Sequence, residues 1–574
     1  MRFALPWTVG LRGLACVLFF PIAAAGPLHR PVMPPTLEAA TDALRGGDAD
    51  GAARMLTDLS LEKPGDARVW RALGRVELQR KRAREAIAAY RHALALEADS
   101  PQVLYGLGAA YGSLHERAHA LEWLRRAHAS HRFDMTELTA DVNLAQYRAD
   151  PDFAALLPSA ADFEAPFVEP VHIIHEWRAE AAEDQFGWIA RNIGDVDGDG
   201  INDLVVSAPT HGSNDSHAGR IYVYSGKSGR LLWTADGAPG DELGTGVEAA
   251  GDSNCDGIPD VAASGPSGKG IAHIYSGRDG RVLHTFEAPD PDETFGRHVS
   301  GAGDVDGDGC ADVIVGSPGK DGEQKSPGHA YVYSGKTGRL LLTLAGERPG
   351  DQFGSTVAGY QRGGDHYLLV GAARGGPSHH GRVYVYAGAK PNLSFVIDAD
   401  DTGNALGAMF VSIPGDLNGD GIADIYAADW SNNARGVSTG RIYVHSGRTG
   451  ARLLTLTGET EGEGFGTSPS VAGDVDGDGR ADLIVGAWQY GKAAVSGGRA
   501  YLYSGRTGQL LRTYTDRIPG DTLGFDAVGL GDVDHDGTVA LLITAAWSGV
   551  RGHHSGRVFL ISSGLSSRST PSKP

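Results

Sequence analysis

A two-residue signal, Phe-Gly or Leu-Gly, returns seven times through the C-terminal two-thirds of the chain. It falls at Phe186-Gly187, Leu243-Gly244, Phe295-Gly296, Phe353-Gly354, Leu406-Gly407, Phe465-Gly466 and Leu523-Gly524, with intervals of 52 to 59 residues. A period of this length restricts the chain to a repeat architecture, in which each unit buries its apolar face only against its neighbours. Inside a unit the order is constant. A short strand leads to an Asp-rich loop and then to an apolar strand such as Leu204-Val205-Val206 or Val313-Ile314-Val315. A Gly-rich loop follows, then a strand such as Ile221-Tyr222-Val223-Tyr224, a Ser-Gly-Lys/Arg-x-Gly turn, and a last strand such as Leu231-Leu232-Trp233. Four β-branched and aromatic runs separated by glycine turns make one propeller blade. The 83 Gly and 28 Pro of the chain fit this and exclude a mostly helical fold. The predicted fold class is therefore mainly β, a seven-bladed β-propeller, preceded by an all-α helical repeat domain.

The two ends of the array predict that it closes. The seventh unit stops after the run Val558-Phe559-Leu560-Ile561, where its third strand belongs. Upstream of the first unit, residues 171–177 (Val-His-Ile-Ile-His-Glu-Trp) stand where other units carry a fourth strand. If that segment completes the seventh blade, no sheet edge is left open.

The loop after each first strand carries carboxylates at alternate positions. The first unit has Asp195, Asp197, Asp199 and, at position nine, Asp203; the second has Asp252, Asn254, Asp256 and Asp260. The third has Asp304, Asp306, Asp308 and Asp312, the fifth Asp416, Asn418, Asp420 and Asp424, the sixth Asp474, Asp476, Asp478 and Asp482. Calcium takes six to eight hard oxygens, and a tightly coiled loop brings such side chains together. Backbone carbonyls at position seven (Ile201, Ile258, Cys310, Ile422, Arg480) would complete the cage. One Asp-Gly-Asp-Gly loop is ordinary turn chemistry; five copies in register call for a cation to relieve the packed negative charge. The fourth unit has Gly359-Tyr360-Gln361-Arg362-Gly363-Gly364-Asp365 instead and should bind nothing. The seventh keeps Asp532, Asp534 and Asp536 but has Ala540 at position nine, so about five Ca²⁺ sites are expected, with a weak sixth.

The Phe-Gly openings, the Asp-x-Asp/Asn-x-Asp-Gly-x-x-Asp loops and strand ends such as Val315-Gly316-Ser317-Pro318 together resemble the FG-GAP repeat family. Its members include the integrin α-subunit propeller and the propeller of glycosylphosphatidylinositol-specific phospholipase D. The resemblance implies calcium on one face of the ring and a protein or carbohydrate ligand on the other. No segment after the N-terminal apolar run reads as a transmembrane helix, so integrin-type adhesion does not come with it.

A second period, of 34 residues, occupies the N-terminal part. Trp70, Leu73, Gly74, Ala86, Tyr90 and Ala93 recur as Leu104, Leu107, Gly108, Ala120, Leu124 and Ala127. Small residues facing large ones suit paired antiparallel helices, and the phasing resembles the tetratricopeptide (TPR) family, which implies a protein partner. His115-Glu116-Arg117-Ala118-His119 matches the zinc-protease pattern His-Glu-x-x-His. It occupies the phase of Lys81-Arg82-Ala83-Arg84-Glu85 one repeat earlier, so the helical repeat already accounts for it.

Residues 1–25 read as a signal peptide: Arg2 and Arg12, an apolar run, then Ala23-Ala24-Ala25. The organisation expected is a signal peptide (1–25), TPR-like helical repeats with capping helices (33–165), the propeller (166–564) and a disordered tail (565–574). The mature chain is expected to be exported, periplasmic or extracellular. After cleavage Cys255 and Cys310 remain and read as two isolated small hydrophobes, with a single bridge left open. The net charge of −20 argues against nucleic acid as a partner. No Gly-x-Ser-x-Gly elbow or phosphate loop occurs. The expected function is non-enzymatic: a calcium-binding scaffold with a ligand face, plus a second protein contact through the TPR block. The alternative is a secreted hydrolase or lyase built from propeller loops. Trp430, Trp488, Trp547 and Tyr490, with His379-His380 and His553-His554, follow second strands and would either line the ligand face or pack between blades.

Overall fold

The computed structural model describes residues 36–45, 47–212, 216–320, 325–468 and 470–566; the expected signal peptide and residues 567–574 lie outside the described residues. The chain forms two compact units, one up to Leu96 and one from Glu97 onward, so the division falls inside the helical repeats.

Among the described residues of the first unit four helices follow one another: α1 (Leu37–Arg45), α2 (Ala49–Glu62), α3 (Ala67–Gln79) and α4 (Ala83–Leu96). Asp48 caps α2 by accepting from the Gly51 N–H at 2.7 Å, and Asp66 caps α3 through Arg68 N–H at 3.0 Å. Gly74 of α3 lies against Tyr90 of α4 so closely that a Cβ there would stand 2.7 Å from the ring. The second unit opens with α5 (Pro101–Ser113) and α6 (Arg117–Ala129), where a Cβ on Gly108 would stand 2.6 Å from Leu124. The 34-residue period is thus one contact made twice, a glycine giving way to a large side chain on the antiparallel partner.

The His-Glu-x-x-His pattern does not lie on one helix. His115 sits in the turn before α6 at φ 61, as Lys81 does one repeat earlier at φ 60. Glu116 is the N-cap of α6, and its carboxylate takes His119 Nδ1 at 2.8 Å. The two imidazoles therefore do not share a helix face, which removes the geometry a zinc protease needs.

Seven four-stranded antiparallel sheets follow, one per Phe-Gly or Leu-Gly unit. Blade one is built from Ala190–Gly194, Asp203–Ala208, Arg220–Tyr224 and Leu231–Asp236. Its second strand is buried at every residue, as are those of blades two, three, five and six. Covered on both faces by neighbouring blades, these strands read in sequence as unbroken apolar runs. The outermost strand Leu231–Asp236 has no fully buried residue, with Leu231, Thr234 and Asp236 exposed and the rest half-buried. The Phe of each opening is the wedge between blades: Phe186, Phe295, Phe353 and Phe465 are at most 1% exposed. The following glycine closes on the second strand, with Gly187 N–H donating to Ser207 O at 2.9 Å. In blade four this glycine has φ +91, and a Cβ would stand 2.2 Å from His329 O, so no other residue fits.

The ring closes as its ends suggest. Ile173–Arg178 pairs antiparallel with Arg557–Ser566, with Trp177 opposite Val558, and becomes the fourth strand of blade seven. Just before it, the chain runs along blade six: Val168 N–H donates to Thr515 O, and Glu169 accepts from Thr515 N–H and from the hydroxyls of Thr513 and Thr515. At the seam, Arg191 of blade one pairs with Asp526 of blade seven and Glu248 of blade two. The third strand of blade seven extends through Ser566, two residues into the segment expected to be tail.

Blade four differs where the sequence says it should. Its first two strands, Phe353–Arg362 and Asp365–Ala372, stay paired up to Arg362 opposite Asp365, leaving only Gly363-Gly364 as the turn. A tight hairpin replaces the loop.

Candidate metal loops and ligand face

The Asp-rich loops sit at one end of the blades and are prefolded by their own backbone. In blade one, Asp195 Oδ1 accepts from Gly198 N–H (2.7 Å) and Asp199 N–H (3.1 Å), while its Oδ2 accepts from Gly200 N–H (2.8 Å). Asp197 accepts from Asp199 N–H and Asp199 from Ile201 N–H, at 3.1 and 3.0 Å. Blades three and five repeat this set. The coil depends on left-handed backbone at positions four and six, here Gly198 (φ +80) and Gly200 (φ +84).

The coiling gathers acidic oxygens. One carboxylate oxygen from each of Asp195, Asp197 and Asp199 lies within 4.8 Å of the others, and so do those of Asp304/Asp306/Asp308, Asp474/Asp476/Asp478 and Asp532/Asp534/Asp536. In blades two and five the middle residue is an amide, and Asn254 and Asn418 keep the same bonds, accepting from Asp256 N–H and Asp420 N–H at 2.9 Å. Hard oxygen donors converging from a glycine-coiled loop fit calcium, and the repulsion among them fits a divalent charge at their centre. Part of that charge is met within blades one, two, three and five: Lys227, Arg278, Lys336 and Arg448 of the Ser-Gly turns stand 3.4 to 4.0 Å from Asp199, Asp256, Asp308 and Asp420.

Position nine has a second task. Asp203 is fully buried; its Oδ2 accepts from Val196 and Asp197 N–H and its Oδ1 from Gly226 N–H, tying the loop to the third turn of its own blade. Asp260, Asp312, Asp424 and Asp482 make the corresponding pair of contacts. Burial pushes the carboxyls of Asp203, Asp312, Asp424 and Asp482 up to about 6, against the pull of these N–H donors. In Asp203 both lone pairs of Oδ2 are taken by N–H groups, and Oδ1, which accepts one, keeps the other for a cation. In blade seven Ala540 cannot make this strap, although Asp532 still accepts from Asp536 and Gly537 N–H.

Two features of the loops escaped the sequence. Cys255 and Cys310, read as isolated hydrophobes, form a disulfide with Cα atoms 5.2 Å apart that joins the loops of blades two and three. Cys255 holds the position where blades one, three, five and six have glycine, at φ 59, because adjacent blades bring positions four and seven of successive loops together. That substitution in register was the available signal. Arg480, expected to offer only its carbonyl, sends its guanidinium across to Asp416 of blade five at 2.9 Å. Burial opposes ionisation of Asp416, but the Gly421 and Gly419 N–H groups and Arg480 outweigh it and hold the carboxyl below its ordinary range.

At the other end of the blades the loops after the second strands collect aromatics. Trp488 and Trp547 meet edge to face at 5.0 Å, and Phe525 lies 5.5 Å from Trp488 and 4.7 Å from Trp188. The two indole N–H groups have no acceptor among the described residues. Tyr490 instead is buried beneath Arg499, 3.8 Å from its ring centre, and His379 is exposed. The segment after α6 packs on this end at blades six and seven: Thr136 lies against Gly549, Asp134 against Gly520, and Arg557 donates to Phe163 O at 3.1 Å.

Comparison with known proteins agrees with the geometry. The FG-GAP repeat model matches residues 186–224 and 295–333, an FG-GAP-like repeat model residues 416–485, and a TPR repeat model residues 74–114. Integrin alpha-PS3 of Drosophila melanogaster is 33% identical over 164 residues, 26% of this chain and 15% of that protein. Integrin alpha-4 of Xenopus laevis is 32% identical over 193 residues (31% and 18%), and human integrin alpha-IIb 31% identical over 167 residues (25% and 16%). The matches thus span under a fifth of each relative.

Proposed function

From a chain made of TPR repeats and an integrin-α-like propeller of FG-GAP repeats, we propose an exported, calcium-dependent binding scaffold that holds ligands and transforms none. The convergence of three carboxylates in the loops of blades one, three, six and seven carries this reading. Ca²⁺ would be held by Asp195/Asp197/Asp199/Asp203 and the Ile201 carbonyl in blade one, and by the corresponding residues of blades two, three, five and six. Blade seven would form a weaker site. Bound calcium supplies countercharge and stiffens one end of the ring, while the half-buried rings of Trp188, Trp488 and Trp547 at the opposite end, packed on buried Phe525, offer apolar surface to a protein or carbohydrate ligand. The TPR block would contact a second protein. Two features support export: the leader-like residues 1–25 and the disulfide, which persists in oxidising compartments. Among the described residues no helix is long and apolar enough to cross a membrane.

With extracellular-type sites of Kd about 10⁻⁴ M, millimolar calcium stabilises the ring by roughly 1.4 kcal/mol per site, about 7 kcal/mol for five sites. Differential scanning calorimetry with calcium and with chelator tests this. A propeller transition that drops strongly under chelator is expected, and an unchanged one overturns the metal assignment.

A further inference from the structure

Away from the acidic loops, metal-ligating side chains from three stretches of chain meet at the ligand end of blade seven. His553 and His554 belong to the loop after its second strand, α7 (Glu137–Ala140) begins at Glu137, and Glu183 lies just before the first Phe-Gly pair. We propose that Glu137, His553 and His554 bind one divalent transition metal of the zinc type, with Glu183 orienting His553 from behind.

His553 is 7% exposed, and its Nδ1 lies 2.7 Å from Glu183 Oε1. With that N–H donated to Glu183, the lone pair is on Nε2. Among the described residues Nε2 is buried without a hydrogen-bond partner, and it faces Glu137 Oε2 at 3.7 Å, beyond hydrogen-bond reach. Positive charge is called for between these two atoms; a proton on Nε2 supplies it in the ion-free site, and a metal ion bound there takes the proton's place. An imidazole backed by a carboxylate is the usual setting of a zinc-bound histidine, since the outer carboxylate fixes the tautomer.

The spacing suits the ion. One oxygen of Glu137 and one ring nitrogen from each histidine lie within 4.8 Å of one another. Two ligands about 2.0 to 2.1 Å from a tetrahedral zinc stand about 3.4 Å apart, so a small closure is enough. The donor set of two imidazoles and a carboxylate selects zinc-type ions over calcium. His554 stacks between His553 at 3.6 Å and Trp547 at 4.9 Å, so its ring must swing out of that stack to aim a lone pair at an ion held by His553. The carbonyls of His553 and His554 accept from Glu183 and Gln185 N–H at 2.8 and 3.0 Å. Glu183 (φ 64), Gln185 (φ 52) and His554 (φ 46) all take left-handed backbone, a strain that gathers at sites whose geometry is fixed by function. Metal here would pin α7 to blade seven and leave one coordination position open at the ligand end.

The test uses the untagged full-length protein in excess calcium, which keeps the acidic loops filled, titrated with Zn²⁺ and with Co²⁺ as the visible probe. One tightly bound zinc is expected, displacing cobalt that shows the intense absorption of a four-coordinate, nitrogen-ligated ion. Glu137→Gln and His554→Ala should each abolish that absorption, and Glu183→Gln should weaken zinc by roughly 10- to 100-fold. Glu137 and His554 are partly exposed, and the calcium-dependent melt of each variant reports that it is folded. No zinc uptake by the wild type would leave a proton as the cation and overturn the proposal. So would cobalt absorption undiminished in the Glu137→Gln/His554→Ala double variant.

Discussion

Two fragments that differ only in residues 166–180 isolate the closing strand. Both lack the helical segments, so losing the contacts of Asp134, Thr136 and Phe163 with the propeller is common to the pair. The fragment beginning at Pro166 keeps Ile173–Arg178; the one beginning at Ala181 lacks it. Within the deleted stretch Phe167 and Trp177 are 6% and 8% exposed, and Trp177 Nε1 donates to Gly229 O of blade one at 2.9 Å. Removing a buried Phe or Trp side chain costs about 3–5 kcal/mol, so the two together cost about 6–10 kcal/mol before any ladder hydrogen bond is counted. That approaches the whole stability of a typical domain. The deletion also uncovers Arg557–Ser566, buried over Arg557 to Ser563, as an apolar sheet edge that recruits other chains. In calcium, size-exclusion chromatography should show the longer fragment monomeric and the shorter one aggregated, with a much lower urea midpoint if any folds. Equal behaviour of the two would refute closure by this strand as the source of the ring's stability.

Arg557 is 1% exposed and is the countercharge for Asp516 and Asp521, both fully buried, so Arg557→Ala should cost about 3–5 kcal/mol in urea unfolding; a loss under 1 kcal/mol would contradict that role. Cys255→Ser opens a crosslink spanning 55 residues and should cost about 4 kcal/mol under oxidising conditions and nothing under reductant. Arg480→Ala frees Asp416 of a competing cation and should tighten blade-five calcium by about 1 kcal/mol, roughly fivefold, measured by calorimetry. Ala540→Asp should strengthen the blade-seven site by restoring the strap that Asp203 supplies in blade one; an unchanged blade-seven affinity would count against that role for position nine.

The ring was legible because its signals are local and repeated. A Phe that wedges between blades must be followed by a residue able to take φ near +90, and a strand covered on both faces must be apolar throughout, so Phe186-Gly187 and Leu204-Val205-Val206 each state their own structure. Even the closing strand could be read, since a deficit after Ile561 matched a surplus at Ile173. What stayed hidden depends on which side chains a neighbouring blade supplies. The bridge from Cys255 to Cys310 and the reach of Arg480 to Asp416 run between loops, and no period within one unit records them. The His553 cluster is less visible still, because its carboxylates come from 416 and 370 residues away in sequence. His115 and His119 show the opposite error: a motif complete in sequence, divided by a turn at φ 61.

Calorimetric titration of the chelator-stripped protein with calcium addresses the loops most directly. Five sites should fill, with a weaker sixth from blade seven, and Asp199→Ala should remove one. A seventh site would contradict the hairpin turn of blade four, which offers no ligand set, and the absence of any calcium uptake would contradict a metal role for the carboxylates that converge in the other blades.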